Sequence, residues 1–232
     1  KKWNDENLVR EASGILDLSL SALGKKGAFP CVYNFAAERY EGSVSWVSRV
    51  ADYLDGYDTG AMGVSAWLSL YWDEVFNLGP ETVKRAEDYA HFLVEHMLPS
   101  GAVPTYFYAD LTPAKQIMES ATTGISGAVL AKVARLTGRS DLSTAALKAG
   151  RFIVEHIIPT LEFSDFETYY SCSPKPLHAV DYWNGIKAQC NLSQQWCCDQ
   201  MLALFHLTGD EAWLTHGEYL LQVLSFYQQV WN

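Results

Sequence analysis

Two stretches of the chain repeat each other closely, and this repeat constrains the fold more than any other feature. "HFLVEHMLP" at 91–99 and "RFIVEHIIP" at 151–159 share Phe, Val, Glu, His and Pro at matching positions. Each copy ends in proline, Pro99 or Pro159, which cannot continue a helix. Repeated units that cannot bury their own apolar faces must stack on their neighbours. The repeat therefore predicts an array of stacked helical units.

The repeated unit is wider than these nine residues. Upstream, both copies carry Thr-Gly-x-x-Gly, at 59–63 and at 123–127, then an apolar run and a glycine-bearing turn. A third copy has the same Leu-Thr-Gly turn at 207–209 that stands at 136–138. Residues 7–24 resemble the second helix of an earlier unit. The unit is a helical hairpin, and the chain is expected to hold about four of them in one domain, 1–232.

The pattern predicts an all-α fold without convincing strand pairs. The stretch "AVPTYFY" alternates like a strand, but no hairpin partner is apparent beside it. Apolar periodicity together with helix start and stop signals predicts eight helices. They are expected at 7–23, 44–54, 60–77, 81–97, 116–136, 141–157, 190–207 and 211–228.

The lengths of the connections indicate where function lies. The turn inside each hairpin is short, whereas the connections between hairpins, 98–115 and 158–189, are long. The long loops therefore gather at one end of the helix stack, and long ordered loops usually carry function. The first helix of each pair begins at that end and is rich in Gly, Ala and Ser, which suits an inner position. The second helices carry more charge and suit the outside.

Composition and motifs exclude several function classes. The net charge of −10 disfavours nucleic acid and anionic membrane as partners, because both are polyanions. No apolar run reaches the ~18–20 residues of a membrane span. The five cysteines show no CxxC spacing and are expected to be free thiols, so we expect no metal site. No nucleotide-binding or cofactor motif occurs, and we expect no cofactor. The chain shows no signal peptide, but a processed mature form would look the same, which leaves the compartment open.

Paired helices, Thr-Gly turns, long loops on one face and "GA[VF]P" followed by aromatics resemble the (α/α) toroids of the six-hairpin glycosidase superfamily. This resemblance implies a carbohydrate-active enzyme, with glycoside hydrolysis of an oligosaccharide as the favoured reaction and sugar epimerisation or polysaccharide lysis as alternatives. A different alternative is a non-catalytic helical-repeat domain that binds glycan or protein, or a structural portion of a larger enzyme. Six hairpins need more chain than 232 residues, so we expect an incomplete ring, completed by further chain or by a second copy.

Three carboxylates are candidates for catalysis at the long-loop end. Asp58 precedes the first Thr-Gly pair, at the position that Thr122 occupies in the next repeat. Glu119 lies just before the next inner helix, and Asp181 in the second long loop is the runner-up. Glycoside hydrolysis uses two carboxylates, and Asp58 with Glu119 would form such a pair. The alternatives are an N-cap for Asp58 and a first-turn acid for Glu119.

Aromatic and amide side chains near those carboxylates are candidates for sugar binding, since sugars present both apolar C–H faces and hydroxyls. The candidates are Tyr106, Tyr108, Tyr169, Tyr170, Trp183, Gln195 and Trp196. Asp199, one turn into the third inner helix, is expected to form a structural hydrogen bond. His178 would be the base in the epimerase alternative. His96 and His156 repeat with their surroundings, which indicates a repeated structural contact.

Overall fold

The computed structural model describes residues 5–42, 56–165, 178–187 and 189–226. Within these ranges the helices lie close to the predicted ones; the predicted helix 44–54 lies outside them. A π-helical turn, Ile153–Ile157, extends the fifth helix. The helices are α1 Glu6–Ser21, α2 Thr59–Phe76, α3 Pro80–His96, α4 Thr123–Thr137, α5 Ser140–Phe152, α6 Asn191–Thr208 and α7 Ala212–Ser225.

One predicted helix boundary is wrong. The helix expected to begin at 116 begins at Thr123, and a short 3₁₀ turn, Lys115–Ile117, precedes it. The backbone before Thr123 bonds elsewhere: the Thr105 amide donates to the Ile117 carbonyl at 3.1 Å. The Thr122 amide donates to the Ser120 hydroxyl at 3.2 Å. Backbone groups that form these bonds do not form the hydrogen bonds of an α-helix, so the segment stays irregular.

The expectation of no strand pairs is also wrong, because two short antiparallel pairs occur. Strand β1 (Val32–Asn34) pairs with β2 (Arg39–Glu41), and β3 (Tyr57–Asp58) pairs with β4 (Tyr106–Phe107). The partner of the alternating "TYFY" stretch is therefore far away in sequence, where a search for local hairpins cannot find it. This second pair ties the first long loop to the start of α2.

The helices form an arc of hairpins with an inner and an outer row. Helix α4 packs against both α2 and α6, while α3, α5 and α7 pack as the return helices of the three hairpins. Every residue of α4 from Thr123 to Ala134 is buried. The predicted inner and outer roles of the helices are thus confirmed.

The repeated Thr-Gly-x-x-Gly motif allows the inner helices to approach each other closely. A methyl group on Gly63 would lie 2.7 Å from Cγ2 of Ile125 on α4. A methyl group on Gly124 would lie 2.9 Å from the backbone nitrogen of Cys197 on α6. Close packing therefore favours glycine in both copies of the motif, at its second glycine in the first copy and at its first glycine in the second.

The repeated histidines also make a repeated contact. The His96 ring lies 4.3 Å from the Phe92 ring, and its Nδ1 lies 2.9 Å from the Phe92 carbonyl oxygen. The His156 ring stacks on Phe152 at 5.3 Å in the same way, four residues apart. The nine-residue repeat thus encodes the end of an outer helix.

The N-terminal end of the arc exposes apolar surface. Helix α1 has no buried residue, and Arg85 of α3 holds its C-terminus by donating to the carbonyls of Ser19, Leu20 and Ala22. Along α2 a row of apolar side chains is exposed: Leu68, Tyr71, Trp72, Val75 and Phe76. Completion of the ring by further chain or a second copy stays a prediction. Among the described residues, no helix is long and apolar enough to cross a membrane.

Candidate functional site

A cavity of about 370 Å³ opens where the three inner helices begin, at the long-loop end. We call it the lumen cavity. Asp58 and the first turns of α2 form one wall, Thr122 forms another, and the first turns of α6 with the long-loop residue Asp165 form a third. Its further lining residues are Cys31, Ala61, Val64, Ser65, Leu192 and Trp196.

Asp58 is both the N-cap of α2 and a lining residue of the lumen cavity. Its Oδ1 accepts a hydrogen bond from the Gly60 amide at 2.8 Å, as a capping carboxylate does. Thr122 occupies the matching position before α4, as the repeat predicts. The Thr122 hydroxyl is buried and has no hydrogen-bond partner within the described ranges.

Asp165 is a second carboxylate of the lumen cavity, and the sequence reasoning did not select it. The side chain is only 3% exposed, and Cys190 donates its thiol hydrogen to Oδ2 at 3.0 Å. The chain reaches this position because Phe163 pairs with Gln189 as a parallel bridge, and the Cys190 amide donates to the Phe163 carbonyl. No local sequence signal predicts such a contact between a loop and a helix start.

Trp196 gives the lumen cavity an aromatic wall. It is 6% exposed and lies against the first turn of α2, where a methyl group on Gly60 would be 3.0 Å from the indole. Gln195, which precedes it and was also a sugar-binding candidate, is exposed and lies outside the cavity lining. The edge of the indole therefore meets the cavity from the same side as Leu192.

Asp199 differs from the expectation that it forms a structural hydrogen bond. It lies on the same side of α6 as Leu192 and Trp196, one turn deeper. The described part of the chain offers its carboxyl no hydrogen-bond partner. Burial raises the pKa of Asp199 to about 6. The side chain thus keeps its proton to an unusually high pH.

The cysteines are free thiols where the structure describes them, namely Cys31, Cys190, Cys197 and Cys198. Burial, and secondarily the Asp58 charge, raises the pKa of the Cys31 thiol. Cys31 therefore meets the lumen cavity as a neutral thiol rather than a thiolate nucleophile. No group of three or more His, Cys, Asp or Glu with metal-binding geometry occurs within the described ranges.

Glu119 lies at a second cavity of about 200 Å³ and not in the lumen cavity lining. Its Oε1 accepts a hydrogen bond from the Ser100 hydroxyl at 2.6 Å. The structure therefore does not bring Glu119 and Asp58 into one cavity. We call this one the rim cavity; its lining includes Phe152, His156, Glu162, Ser164, His178 and Lys187.

Glu162 is the centre of a polar cluster at the rim cavity. It accepts hydrogen bonds from the His178 amide at 2.6 Å, from His178 Nδ1 at 2.8 Å and from Lys187 Nζ at 2.9 Å. Burial by itself raises the pKa of Glu162, but the hydrogen bonds from Lys187 and His178 outweigh it and the pKa is lowered. Glu162 thus stays ionised and fixes the orientation of the His178 ring.

The remaining candidates lie away from the lumen cavity or outside the described residues. Asp181 accepts from the amides of Trp183 and Asn184 in a surface turn, where Trp183 is 89% exposed. Tyr106 is completely buried, with the Tyr108 ring 6.2 Å away edge-on. Tyr169 and Tyr170 lie outside the described residues.

Solved structures share this arrangement of helices. No protein-family model and no curated protein matches the chain. The cellobiose 2-epimerase from Bacillus thermoamylovorans B4167 superposes with a TM-score of 0.64 at 13% identity, over 98% of this chain and 57% of that one. A sugar epimerase from a ruminal bacterium gives 0.62 at 13% identity, over 89% and 50%.

An unsaturated glucuronyl hydrolase structure with dGlcA-Glc-Rha-Glc gives 0.61 at 13% identity, over 97% of this chain and 58% of that one. The chain thus spans 50–58% of the length of these solved structures. They are (α/α) toroids, and the predicted fold, a toroid or part of one, is confirmed.

Proposed function

We propose that the protein is a carbohydrate-active enzyme that binds a sugar in the lumen cavity and hydrolyses a glycosidic bond there. One observation carries the proposal: Asp58, Asp165 and Trp196 line the same cavity where the inner helices begin. Solved structures with the same fold include sugar epimerases and a glucuronyl hydrolase, which supports a carbohydrate substrate.

The lining of the lumen cavity suits a sugar. The Trp196 indole and Leu192 offer an apolar surface to ring C–H groups, while the carboxylates of Asp58 and Asp165 accept hydrogen bonds from hydroxyls. The hydroxyls of Ser65 and Thr122 add further polar contacts. The Thr122 hydroxyl lacks a protein partner within the described ranges, so a substrate hydroxyl would supply its hydrogen bond.

Hydrolysis needs one carboxyl group that protonates the leaving oxygen and one that activates water or attacks the anomeric carbon. We assign the second role to Asp58, whose orientation is fixed by the Gly60 amide at 2.8 Å. We assign the acid role to Asp165, which is nearly buried and is held by the Cys190 thiol.

The test measures hydrolysis of a panel of oligosaccharides, including unsaturated uronides, by release of reducing ends. Asp58→Asn and Asp165→Asn are each expected to lower the rate at least ~100-fold. Asp181→Asn is the matched control, because Asp181 lies in a surface turn, and it should keep wild-type activity. Full activity in both lumen variants would overturn the assignment.

Epimerisation is a second candidate, favoured by the 2.8 Å contact between His178 Nδ1 and the ionised Glu162. A histidine held in this way presents Nε2 as a base for the proton next to a sugar carbonyl. Reactions in D₂O separate the two chemistries. Epimerisation introduces deuterium at the carbon next to the carbonyl and depends on His178, whereas hydrolysis leaves the carbon-bound hydrogens in place and depends on Asp58.

Binding without turnover would favour the non-catalytic alternative. A sugar that binds only the folded state raises the melting temperature, and the stabilisation grows with the logarithm of one plus the ratio of free sugar concentration to Kd. A rise in melting temperature without product in either assay would identify a glycan-binding portion of a toroid. One observation supports this alternative: the chain matches only 50–58% of the length of the solved toroids.

A further inference from the structure

The segment 162–165 separates the lumen cavity from the rim cavity. Phe163 in its middle is completely buried and pairs with Gln189 in an extended conformation. Successive side chains of an extended segment point to opposite sides. Accordingly, Glu162 and Ser164 line the rim cavity, whereas Asp165 lines the lumen cavity. The rim cavity is therefore a compartment of its own.

Ser164 points to a ligand in the rim cavity. The residue is only 4% exposed, and its hydroxyl has no hydrogen-bond partner within the described ranges. A buried hydroxyl without a partner costs free energy, and most such groups in proteins are paired. Ser164 is one of the residues that line a cavity with room for a small molecule, so a ligand hydroxyl placed there can supply the missing bond.

The backbone around the rim cavity is unusual in three places. The outer helix becomes a π-helix at Ile153–Ile157, and this stretch brings His156 and Ile157 to the cavity. Leu161 and His178 adopt left-handed backbone conformations, with φ of 50° and 67°. Left-handed backbone conformations cost energy in residues other than glycine. Both these conformations and π-helical turns cluster at functional sites.

The charges of the rim cavity favour a neutral ligand. Lys187 is paired with Glu162 at 2.9 Å, and the carboxylate of Glu119 opposes the entry of an anion. A cation would meet the Lys187 ammonium group. The lining offers hydrogen-bond donors and acceptors together with the rings of Phe152 and His156, which are stacked on each other. This combination suits a molecule with several hydroxyls and an apolar face.

We propose that the rim cavity binds one neutral sugar ring, with the Ser164 hydroxyl and the Glu162–His178–Lys187 cluster as its polar contacts. A cavity of about 200 Å³ limits the ligand to about one ring. This site is separate from the lumen cavity and does not depend on the proposed hydrolysis, whereas the epimerisation candidate would act at the same site through His178.

Histidine NMR signals provide a readout that is independent of activity. The chain contains six histidines, and the signals of His156 and His178 are assigned with His156→Gln and His178→Gln. Protein with labelled histidine is titrated with D-glucose, D-mannose and D-galactose to about 100 mM, which detects a Kd as weak as ~10 mM. We expect saturable shifts of the His156 and His178 ring signals with at least one of these sugars, and none for His206 or His216.

Two variants of Ser164 and one control test the site directly. Ser164→Val fills the space and removes the hydroxyl, so it should abolish the saturable shifts. Ser164→Ala should weaken binding several-fold and melt no lower than the wild type, because no protein bond is lost. Thr82→Val is the control: the Thr82 hydroxyl is also buried without a partner in the described ranges, but it lies at neither cavity. It should leave the titration unchanged.

Three results would overturn the proposal: no saturable shift with any neutral sugar, shifts that persist in Ser164→Val, or shifts with D-glucuronate alone. The last would identify an anion site. Asp58→Asn distinguishes the rim site from the proposed hydrolysis. This variant should lose hydrolytic activity but keep the sugar-induced shifts of the His156 and His178 signals.

Discussion

Gly124 lies so close to Cys197 that a methyl group on its Cα would stand 2.9 Å from the Cys197 backbone nitrogen. The contact joins the first turn of α4 to the second turn of α6, next in sequence to Trp196 of the lumen cavity lining. Backbone atoms cannot move aside as the end of a flexible side chain can. The spacing between inner helices is therefore set by this glycine.

Gly124→Ala is expected to lower the free energy of unfolding by about 1–3 kcal/mol, because the added methyl group forces two packed helices apart. Urea unfolding followed by circular dichroism measures the change. Gly14→Ala is the matched control, since no atom lies within 4 Å of a methyl group there. It should be neutral or slightly stabilising, as alanine favours helix over glycine. Equal destabilisation by both variants would contradict the steric account.

Asp58 has two separable roles, and two substitutions distinguish them. Asparagine is as good an N-cap as aspartate, so Asp58→Asn should keep the stability of α2 while it removes the proposed catalytic carboxylate. Asp58→Ala should lose both, with a cost of about 1 kcal/mol in unfolding free energy. Thermal melts paired with the hydrolysis assay make the comparison. Loss of stability in Asp58→Asn would assign the carboxylate to folding.

Asp199 should make stability depend on pH in a direction unusual for a carboxylate. Its pKa is raised to about 6 in the folded state, so the folded protein binds the proton more tightly than the unfolded chain. The stability contribution of the protonated form is present below the unfolded pKa near ~4 and is lost as pH rises through about 6.

Asp199→Asn is therefore expected to stabilise the protein at pH 7.5 and to change little at pH near ~4. The side chain is partly accessible to solvent, so we expect a gain of no more than about 1 kcal/mol. Unfolding free energies at the two pH values measure it. An equal effect at both would show that the charge of Asp199 is not responsible.

Glu162 predicts the opposite dependence on pH. Its pKa is lowered in the folded state, where the bonds from Lys187 and His178 outweigh its burial. The stabilisation is present above the unfolded pKa and is lost as pH falls through the folded pKa. Glu162→Gln should therefore cost more stability at pH 7 than under acid conditions. Glu155→Gln, at an exposed residue of the same region, is the control substitution and should cost little stability.

The sequence predicted the helical hairpins because their signals are local: Pro99 and Pro159 end helices, and the glycines of the repeat mark the inner helix starts. It also placed Asp58 and Trp196 at the long-loop end, where both line the lumen cavity. Asp165 was missed because it reaches the cavity through a pairing between Phe163 and Gln189, which are far apart in sequence. The separation of Glu119 from Asp58 likewise depends on packing around Ser120, which no periodicity reveals.

Arg85 is expected to be the main anchor of α1 on the fold, beside the Tyr40 hydroxyl, which donates to the Leu18 carbonyl. Its guanidinium donates to the carbonyls of Ser19 and Leu20, at 2.6 and 2.5 Å, and to that of Ala22 at 2.9 Å, whereas α1 buries no residue of its own. Arg85→Met keeps the apolar stem and removes the donors, so the last turn of α1 loses its cap. Limited proteolysis should then cut within residues 6–24 at least several-fold faster, while α4 stays protected. Lys84→Met, which removes only an exposed ion pair with Asp88, should leave the cleavage rate unchanged. A cleavage rate in Arg85→Met equal to that of the wild type would mean that other contacts retain the helix.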